Sequence, residues 1–450
     1  MRRAAGLLAV ASAIAAASAG SPGQSPAPGP PPASDTVRTM NDAAERYVRL
    51  VLAVGQHDKD YVDAFYGPEE WRKQAEAQRR PLPQIRAESA ALAVRIGRLS
   101  DGTDEMSRLR RRFLRRQLEA LTARADILSG RKMSFDEESR ALYDAVAPVN
   151  TEEHFRKLRA RLEAELPGSG SLIDRYDAFR KAFVVPREKL DAVFQAAIAE
   201  ARSRTKKHMP LPEGESFVVE YVKDKTWSGY NWYQGGYRSL IQVNTDLPVY
   251  IDRAVDLACH EGYPGHHVYN VLLEKNLVRE RGWIEFEIYP LFSPESLIAE
   301  GSANYGIEVA FPGAERLAFE KAALYPLAGL DPSRAERYDR VRDLAQALSY
   351  AGNEAARRYL NGEIDAKAAA AWLTEYGLMS PPRAEQRVRF IDQYRSYVIN
   401  YNVGKDLVAR WVEEQGGTAS RPEKRWEVFE RLLSTPRLPS DLAPAAAAKS

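Results

Sequence analysis

Three stretches of the sequence predict a mostly helical fold with a small β-sheet. Apolar residues recur at helical spacing from about residue 36 to residue 207, and again from about residue 248 to residue 414. Between these regions, residues 217–222 and 239–244 have the β-branched and aromatic composition of strands. We therefore expect a helical protein with two short strands inserted near the middle of the chain.

Local signals mark several helices in the first of these regions. Residues 109–128 place apolar side chains at helical spacing among many arginines, as an amphipathic surface helix would. Ser134 followed by Glu137 is a capping-box pattern that opens the next helix. Asn150 is expected to cap another helix, and Pro186 precedes one that runs to about Lys206.

The two predicted strands are separated by an aromatic, glycine-rich segment, residues 227–237, which we interpret as a loop. The strand at residues 239–244 could pair with an extended peptide by strand addition, and Asn244 at its end is assigned to substrate binding. Four aromatic side chains of the segment could line side-chain pockets or simply pack; they are Trp227, Tyr230, Trp232 and Tyr233.

Both ends of the chain differ in composition from the rest. Arg2 and Arg3 precede a short apolar run and an Ala-Ser-Ala cleavage pattern, so residues 1–19 are interpreted as a signal peptide. The expected location is therefore the periplasm or the cell exterior. The predicted divisions are a Pro/Ala/Gly-rich linker (20–35), an N-terminal helical region (36–207), a metal-binding catalytic region (208–435) and a disordered tail (436–450).

The charge of the chain is nearly balanced, with 64 Lys and Arg residues against 62 Asp and Glu residues. Loss of Arg2 and Arg3 with the predicted leader would make the two equal. We therefore expect no attraction toward nucleic acid or an anionic membrane. No later segment is long and apolar enough to predict a membrane span, and the sequence carries no signal for oligomeric state.

Three of the six histidines lie in one octapeptide, HEGYPGHH at residues 260–267. Zinc hydrolases often take two ligand histidines from one helix and use the glutamate after the first as general base, here Glu261. On a straight helix, His260 and His266 would point about 120° apart and lie about 9 Å apart along the axis, too far to share one ion. Pro264 and Gly265 predict a bulge or break that removes this objection.

The second ligand could be either of the two later histidines. His266 is preferred because Gly265 directly precedes it, as a glycine precedes the second ligand in many zinc hydrolases. His267 would then turn to the substrate side or to a partner of the ligands, where its imidazole could donate to an oxyanion or a carboxylate. Cys259, the single cysteine, cannot form an intramolecular disulfide; it could supply a thiolate, but a lone cysteine in an apolar helix more simply packs.

A third ligand is expected on a following helix that begins at residues 293–294. Glu300 stands there after an apolar run, where an unpaired carboxylate would be costly. Gly301 leaves room for another backbone, and Asn304 could hydrogen-bond one of the metal ligands. Glu308, two turns further on, is the competing candidate, and a paired structural carboxylate is the alternative interpretation of Glu300.

The octapeptide, together with AEGSA at residues 299–303, resembles the bacterial family called domain of unknown function 885. That family is similar to the helical gluzincin metallopeptidases, including carboxypeptidase Taq. The resemblance spans about residues 41–412 and is strongest over 217–308. It implies a helical gluzincin-like architecture with a small sheet lining the cleft. The roles that it implies are His260 and one of the two later histidines as zinc ligands, Glu261 as base and Glu300 as third ligand.

The resemblance also directs attention to a later helix, because gluzincins often use a Tyr or His there to stabilise the oxyanion. Tyr401 is assigned to that role, and Arg395 or Lys405 could hold a substrate carboxylate. Tyr397 shares a helical face with Tyr401, so a packed tyrosine stripe is the alternative. Ser302 replaces an aromatic residue found in many members, which leaves that wall of the pocket undefined.

The function predicted from these residues is an exported Zn²⁺-dependent hydrolase that cleaves peptides, with Glu261 taking the proton of the attacking water. One alternative is a metal-dependent amidase acting on a non-peptide substrate. Another is a non-catalytic protein that binds a metal or a peptide. Glu261 favours an enzyme, because a purely structural zinc site is closed by four protein ligands and needs no base.

Overall fold

The computed structural model describes residues 35–100, 104–225 and 227–443. The predicted signal peptide, nearly all of the predicted linker and the last seven residues of the predicted tail lie outside the described residues. Within them the fold is mostly helical with small sheets, as the sequence predicts.

Helices account for most of the described chain. The first ten are α1 (Asp35–Gly55), α2 (Glu69–Gln78), α3 (Leu82–Gly97), α4 (Glu105–Leu128), α5 (Phe135–Tyr143), α6 (Glu152–Glu165), α7 (Leu172–Arg180), α8 (Leu190–His208), α9 (Asp252–Leu257) and α10 (His266–Leu273). The later ones are α11 (Pro294–Ala310), α12 (Ala314–Phe319), α13 (Tyr325–Ala328), α14 (Ala335–Gln346), α15 (Ala351–Leu360), α16 (Ala366–Tyr376), α17 (Pro381–Tyr394), α18 (Ile399–Glu414), α19 (Pro422–Leu433) and α20 (Pro439–Leu442).

Helix caps follow the local sequence closely. The capping box predicted at Ser134 is present, with Ser134 accepting from the Glu137 amide and Glu137 returning a bond to the Ser134 amide. The cap predicted at Asn150 is wrong by one residue. Thr151 caps α6 by accepting from the His154 amide. Both residue types suit the position, so composition alone could not decide between them.

The part of the chain that the structure describes contains five strands in two sheets: β1 (Val62–Phe65), β2 (Ser216–Val222), β3 (Gly229–Gly235), β4 (Arg238–Asn244) and β5 (Ile288–Pro290). β1 pairs with β5, whereas the second sheet has the order β2-β4-β3. The segment 227–237 interpreted as a loop therefore contains a strand, β3, and a tight turn into β4. Gly235 and Gly236 take positive φ in that turn, as a short hairpin connection requires.

The position of β4 changes one prediction. β4 pairs with β2 on one side in parallel and with β3 on the other side antiparallel. Both of its edges are therefore occupied, and the predicted addition of a peptide strand to residues 239–244 is wrong. The edge strands are β2 and β3, and both contact the octapeptide, β2 through Phe217 and β3 through Asn231.

Two large hydrophobic cores meet at α11. One contains Phe194 of α8, Val268 of α10 and Ile298 of α11. The other joins helices of the N-terminal region to α11 and to helices α15–α18, with Leu118, Leu297 and Ile399 among its members. Helix α11 is consequently buried almost all round, and the side chains that it carries are held between the two cores.

The end of the described chain is partly folded. Residues 439–442 form α20, and Leu438 and Leu442 are buried in the first core, so this part of the predicted tail is packed rather than disordered. Among the described residues, no helix has both the length and the apolar character needed to cross a bilayer.

Candidate metal centre

The octapeptide interrupts a helix as predicted. Residues 258–262 form a π-helical turn after α9, and the chain then breaks at Pro264-Gly265 before α10 begins at His266. A Cβ on Gly265 would lie 2.0 Å from the carbonyl oxygen of His260 and 2.3 Å from that of Cys259. Glycine is therefore required where the break folds the chain back on itself. The fold-back brings Nε2 of His266 to 3.2 Å from Nε2 of His260.

Helix α11 brings Glu300 to the two histidines. Its Oε2 atom lies 3.2 Å from Nε2 of His260 and 3.7 Å from Nε2 of His266. The three ligand atoms all lie within 4.8 Å of one another. Of the two candidate third ligands, Glu300 is thus the one in the cluster. Glu308 instead pairs with Lys405, with 2.5 Å between Oε1 and Nζ.

Close packing of two helices fixes the position of Glu300. A Cβ on Gly301 would lie 2.3 Å from the carbonyl carbon of Gly404 on α18, so the backbones of α11 and α18 are in direct contact. The room that the sequence predicted at Gly301 is used in this way. Tyr397, just before α18, donates a 2.7 Å hydrogen bond to Oε1 of Glu300 and leaves Oε2 to face the histidines.

The proton pattern of the cluster fits a bound cation. The side-chain nitrogen of Asn304 donates to the carbonyl oxygen of Tyr401 at 2.9 Å, which leaves its oxygen facing Nδ1 of His260 at 3.0 Å. Nδ1 of His260 must therefore carry a proton. In a neutral imidazole, Nε2 is then unprotonated and presents a lone pair. That lone pair would face Oε2 of Glu300, a second acceptor only 3.2 Å away. A cation held between these acceptors would resolve the conflict, and two histidines with one carboxylate are a common zinc ligand set.

The electrostatics of Glu300 agree with this arrangement. Burial by itself would raise the pKa of Glu300, but the contacts with His260 and His266 outweigh burial and hold that pKa well below its usual range. Burial by itself would lower the pKa of His266, but Glu300 outweighs it and raises the pKa of the imidazole. The carboxylate is therefore ionised, as a metal ligand must be.

Glu261 is buried and faces the same cavity as the cluster. Its backbone carbonyl accepts a 2.7 Å bond from the Asn231 side chain, which anchors the residue to β3. A Cβ on Gly229 would lie 2.8 Å from Oε1 of Glu261, so the glycine at the start of β3 makes room for the carboxylate. None of the described residues donates a hydrogen bond to that carboxylate, which leaves it available as a base.

The cluster opens into a cavity of about 1410 Å³ between the small sheet and helices α11, α17 and α18. Small-molecule pockets are typically about 300–1,000 Å³, so this one could hold a peptide of several residues. Trp227, Tyr230 and Tyr233 line it, whereas Trp232 is on the outside and 49% exposed.

Asp63 of β1 is a cavity residue that sequence reasoning missed. It accepts a 2.7 Å hydrogen bond from Tyr230. Burial raises the pKa of Asp63 to about 6, although the Tyr230 hydroxyl opposes the shift. The only signal in the sequence is an aspartate in a four-residue strand inside a helical region, and such a strand is too short to be recognised by periodicity.

The assignment of His267 to catalysis is wrong. His267 is fully buried and lies outside the cavity lining, because it points back toward the sheet rather than toward the metal cluster. Nδ1 lies 2.9 Å from the Ser239 hydroxyl, and Nε2 lies 3.1 Å from Oε2 of Glu215. Consecutive helical residues point about 100° apart, so His267 points away from the cluster that His266 joins.

Cys259 and Ser302 are also structural. Cys259 is fully buried in the first core and lies outside the metal cluster, and burial raises the pKa of its thiol. The packing interpretation therefore holds and the thiolate interpretation does not. Ser302 is buried and donates to the Ala299 carbonyl, so it does not form a wall of the cavity.

Two of the predicted substrate-binding residues have other partners. Arg395 lies away from the cavity and pairs with Glu138 at 2.6 Å. Asn244 lines the cavity, but its amide group donates to the carbonyls of Lys225 and Trp227. The assignment of Arg395 is wrong, because its side chain is committed to a distant acid outside the cavity. The assignment of Asn244 stays a prediction, because the residue lines the cavity although its side-chain nitrogen is used by the chain before β3.

Lys405 and Tyr401 do line the cavity. The charge of Lys405 is neutralised by Glu308. Tyr401 packs against Tyr397 with 5.8 Å between ring centroids, and no described residue hydrogen-bonds its hydroxyl. Tyr401 therefore keeps a free donor on the wall of the cavity, whereas the hydroxyl of Tyr397 is used on Glu300.

Comparisons with known proteins add little to the geometry. No protein-family model matches the chain, and no curated protein matches it. A solved structure described as a "putative lipoprotein from Colwellia psychrerythraea" is similar at 14% identity and a TM-score of 0.49, over 91% of this chain and 77% of that one. Another, described as "a putative lipoprotein of unknown function from Shewanella oneidensis", is similar at 12% identity and a TM-score of 0.43, over 88% and 82% of the two chains. At these values neither similarity supports a conclusion about function.

Proposed function

We propose that the chain is a zinc-dependent peptidase of the gluzincin type, exported as its N-terminal sequence predicts. The observation that carries the proposal is the meeting of His260, His266 and Glu300 on the wall of a large cavity, with Glu261 beside them. Three ligands of these types leave one coordination position open, as in catalytic rather than structural zinc sites.

Each residue of the site has a distinct part in the proposed reaction. Zn²⁺ held by His260, His266 and Glu300 would supply a Lewis acid for the substrate carbonyl and would lower the pKa of water. Glu261, free of hydrogen-bond donors, would accept a proton from the attacking water and later give it to the leaving amine. Tyr401 would donate its free hydroxyl to the oxyanion.

A peptide substrate is favoured by the edge of β3. The backbone N–H of Asn244 in β4 donates to the Ser228 carbonyl, just before β3. From this pair onward, hydrogen-bonded and non-hydrogen-bonded positions alternate along the antiparallel register of β3 and β4. Gly229, Asn231 and Tyr233 are therefore at non-hydrogen-bonded positions, where peptide groups point away from β4. All three residues line the cavity, so an extended peptide could pair with this edge and pass in front of Glu261.

The test is incubation of the purified protein with a peptide mixture, followed by mass spectrometry with and without a chelator. We expect cleavage that the chelator stops. Glu261→Gln should retain zinc while turnover falls by about 10² or more, because the base is lost and the ligands remain. Glu308→Gln is the matched control, since Glu308 lies at the same cavity but is paired with Lys405.

Two results would count against the proposal. If zinc-loaded protein cleaves no peptide, the proposed peptidase activity is refuted. If Glu261→Gln cleaves at the rate of the unmodified protein, Glu261 is not the base. The second result would leave the metal site itself intact.

A further inference from the structure

Three arginines on the cavity wall have no carboxylate partner among the described residues: Arg180, Arg383 and Arg387. Other arginines of the same cavity are paired. Arg253 and Arg316, for example, contact Asp256 at 3.2 Å and 2.9 Å. The three guanidinium groups therefore form a positive wall without a direct ion pair to the described residues, although Asp252 lies near Arg180 and Asp177 lies near Arg383.

Aromatic rings contact two of these groups, those of Arg387 and Arg180, without using their hydrogen-bond donors. The guanidinium carbon of Arg387 lies 4.4 Å from the ring centroid of Phe390 and 6.0 Å from that of Tyr401. That of Arg180 lies 3.7 Å from the ring centroid of Tyr250. Stacking on a ring face leaves the edge of the guanidinium free, which is the part that binds a carboxylate in a bidentate manner.

The unpaired state is unfavourable in the protein without a ligand. Nε of Arg387 is buried and makes no hydrogen bond within the described chain. Burial lowers the pKa of both Arg383 and Arg387, and the nearby charge of Arg180 lowers that of Arg383 further. A buried cation is ordinarily paired, so an anion that enters the cavity would supply the missing partner.

The positive wall lies close to the metal cluster. Arg383 and Arg387 are four residues apart on α17 and so share one face of that helix. Two tyrosines connect Arg387 to the cluster. Arg387 lies near the ring of Tyr401, Tyr401 packs on Tyr397, and Tyr397 donates a hydrogen bond to Glu300. An anionic group bound there would lie within a few residues of a bond held at the metal.

Acidic side chains lie near the other end of α17, where Gln393 donates a 2.8 Å hydrogen bond to Asp60. Burial raises the pKa of Tyr394, seven residues after Arg387, and the carboxylates of Asp60 and Asp63 raise it further. Seven residues of helix span about 10 Å, so these carboxylates lie roughly three extended residues from Arg387. This separation would favour a peptide whose negative end lies at the arginines, away from these carboxylates.

We propose that Arg383 and Arg387, with Arg180 beside them, bind a carboxylate of the substrate and so select peptides that carry one near the cleaved bond. The carboxylate could be the C-terminus or an acidic side chain. This inference rests on the proposed function of the site, but it makes a statement about binding that can be tested without turnover.

The experiment measures binding to the Glu261→Gln protein by isothermal titration calorimetry. The probes are acetyl-Ala-Ala-Ala, its C-terminal amide, and the amide of acetyl-Ala-Glu-Ala. Arg387→Gln is compared with Arg389→Gln, a matched change on the same helix, because Arg389 is exposed and lies outside the cavity lining. Thermal denaturation shows whether each variant folds. Arg387→Lys replaces Arg387→Gln if the latter does not fold, since lysine keeps the charge and loses the bidentate fork.

We expect the free acid to bind at least about tenfold more tightly than its amide, the lower end for a hydrogen bond to a charged group. Arg387→Gln should abolish that preference, and Arg389→Gln should keep it. The glutamyl amide identifies the source: tight binding indicates an acidic side chain, and weak binding indicates the C-terminus. Equal binding of acid and amide, or a preference that survives Arg387→Gln, would overturn the inference.

These outcomes separate the inference from the proposed function. If the protein cleaves peptides but binds acid and amide equally, the carboxylate site is refuted and the peptidase activity stands. If the protein prefers the acid but cleaves no peptide, the carboxylate site stands and the peptidase activity is refuted.

Discussion

The contact between Gly301 and Gly404 provides a quantitative test of how the metal centre is held. In Gly301→Ala the new Cβ would lie 2.3 Å from the carbonyl carbon of Gly404, against an ordinary contact of at least 3.4 Å. Helices α11 and α18 must then separate by about 1 Å, and overpacking of this kind destabilises by about 1–3 kcal/mol. The 2.7 Å hydrogen bond from Tyr397 to Glu300 joins the same two segments, so it would stretch beyond hydrogen-bond range.

The assay is urea unfolding together with zinc affinity by chelator competition. Gly352→Ala is the matched control, because Gly352 lies in α15 and has nothing within 4 Å of the position of a Cβ. Alanine there should be neutral or stabilise by about 0.5–1 kcal/mol, the ordinary helix preference. We expect Gly301→Ala to lose both stability and zinc affinity. A Gly301→Ala protein as stable as Gly352→Ala, with unchanged zinc affinity, would refute the packing argument.

Two further predictions concern Tyr397 and the buried Glu295 of α11. Tyr397→Phe removes the donor to Glu300 and should lower zinc affinity about 10- to 100-fold, as is usual for a partner of a ligand; unchanged affinity in chelator competition would contradict this. Burial raises the pKa of Glu295 to about 8 in the folded protein, against about 4.5 when unfolded. The folded state therefore holds the proton more tightly than the unfolded state. The stability that this adds is fully present below the unfolded pKa and is lost as pH rises through about 8. Urea unfolding from pH 5 to pH 8 should therefore show the wild type losing stability relative to Glu295→Gln, whereas a constant difference would show that Glu295 is ionised throughout.

The parts of the site that the sequence predicts are those encoded locally. The break at Pro264-Gly265 is written in consecutive residues, and it was needed to bring His260 and His266 together. Asn304 lies one turn after Glu300, so its place beside the ligands follows from helix periodicity alone. The capping box at Ser134 is local in the same sense.

The misassigned residues depend on partners far away in the chain. Arg395 is neutralised by Glu138, 257 residues earlier, and nothing near Arg395 in sequence indicates this. Asp63 reaches the cavity only because β1 pairs with β5, across more than 220 residues. The order of the β2-β4-β3 sheet is likewise set by packing, so the position of β4 at the centre could not be predicted from composition.

Distant partners also decide which cations of the cavity remain free to bind a carboxylate. Sequence reasoning chose Arg395 and Lys405 as carboxylate ligands because they lie near Tyr401 along the chain. In the fold both are neutralised, and Arg387, from the preceding helix, is the one that remains free beside Tyr401. Which cation is available is decided by which carboxylates the fold brings near it.

The central claim is that His260, His266 and Glu300 hold one zinc ion, and metal analysis tests it most directly. Elemental analysis of protein purified without added metal should give about one zinc per chain. His266→Ala should lose the metal, whereas His267→Ala should keep it and lose stability, because His267 is buried between Ser239 and Glu215. Absence of zinc that persists on titration, or zinc that stays in His266→Ala and leaves in His267→Ala, would contradict the account.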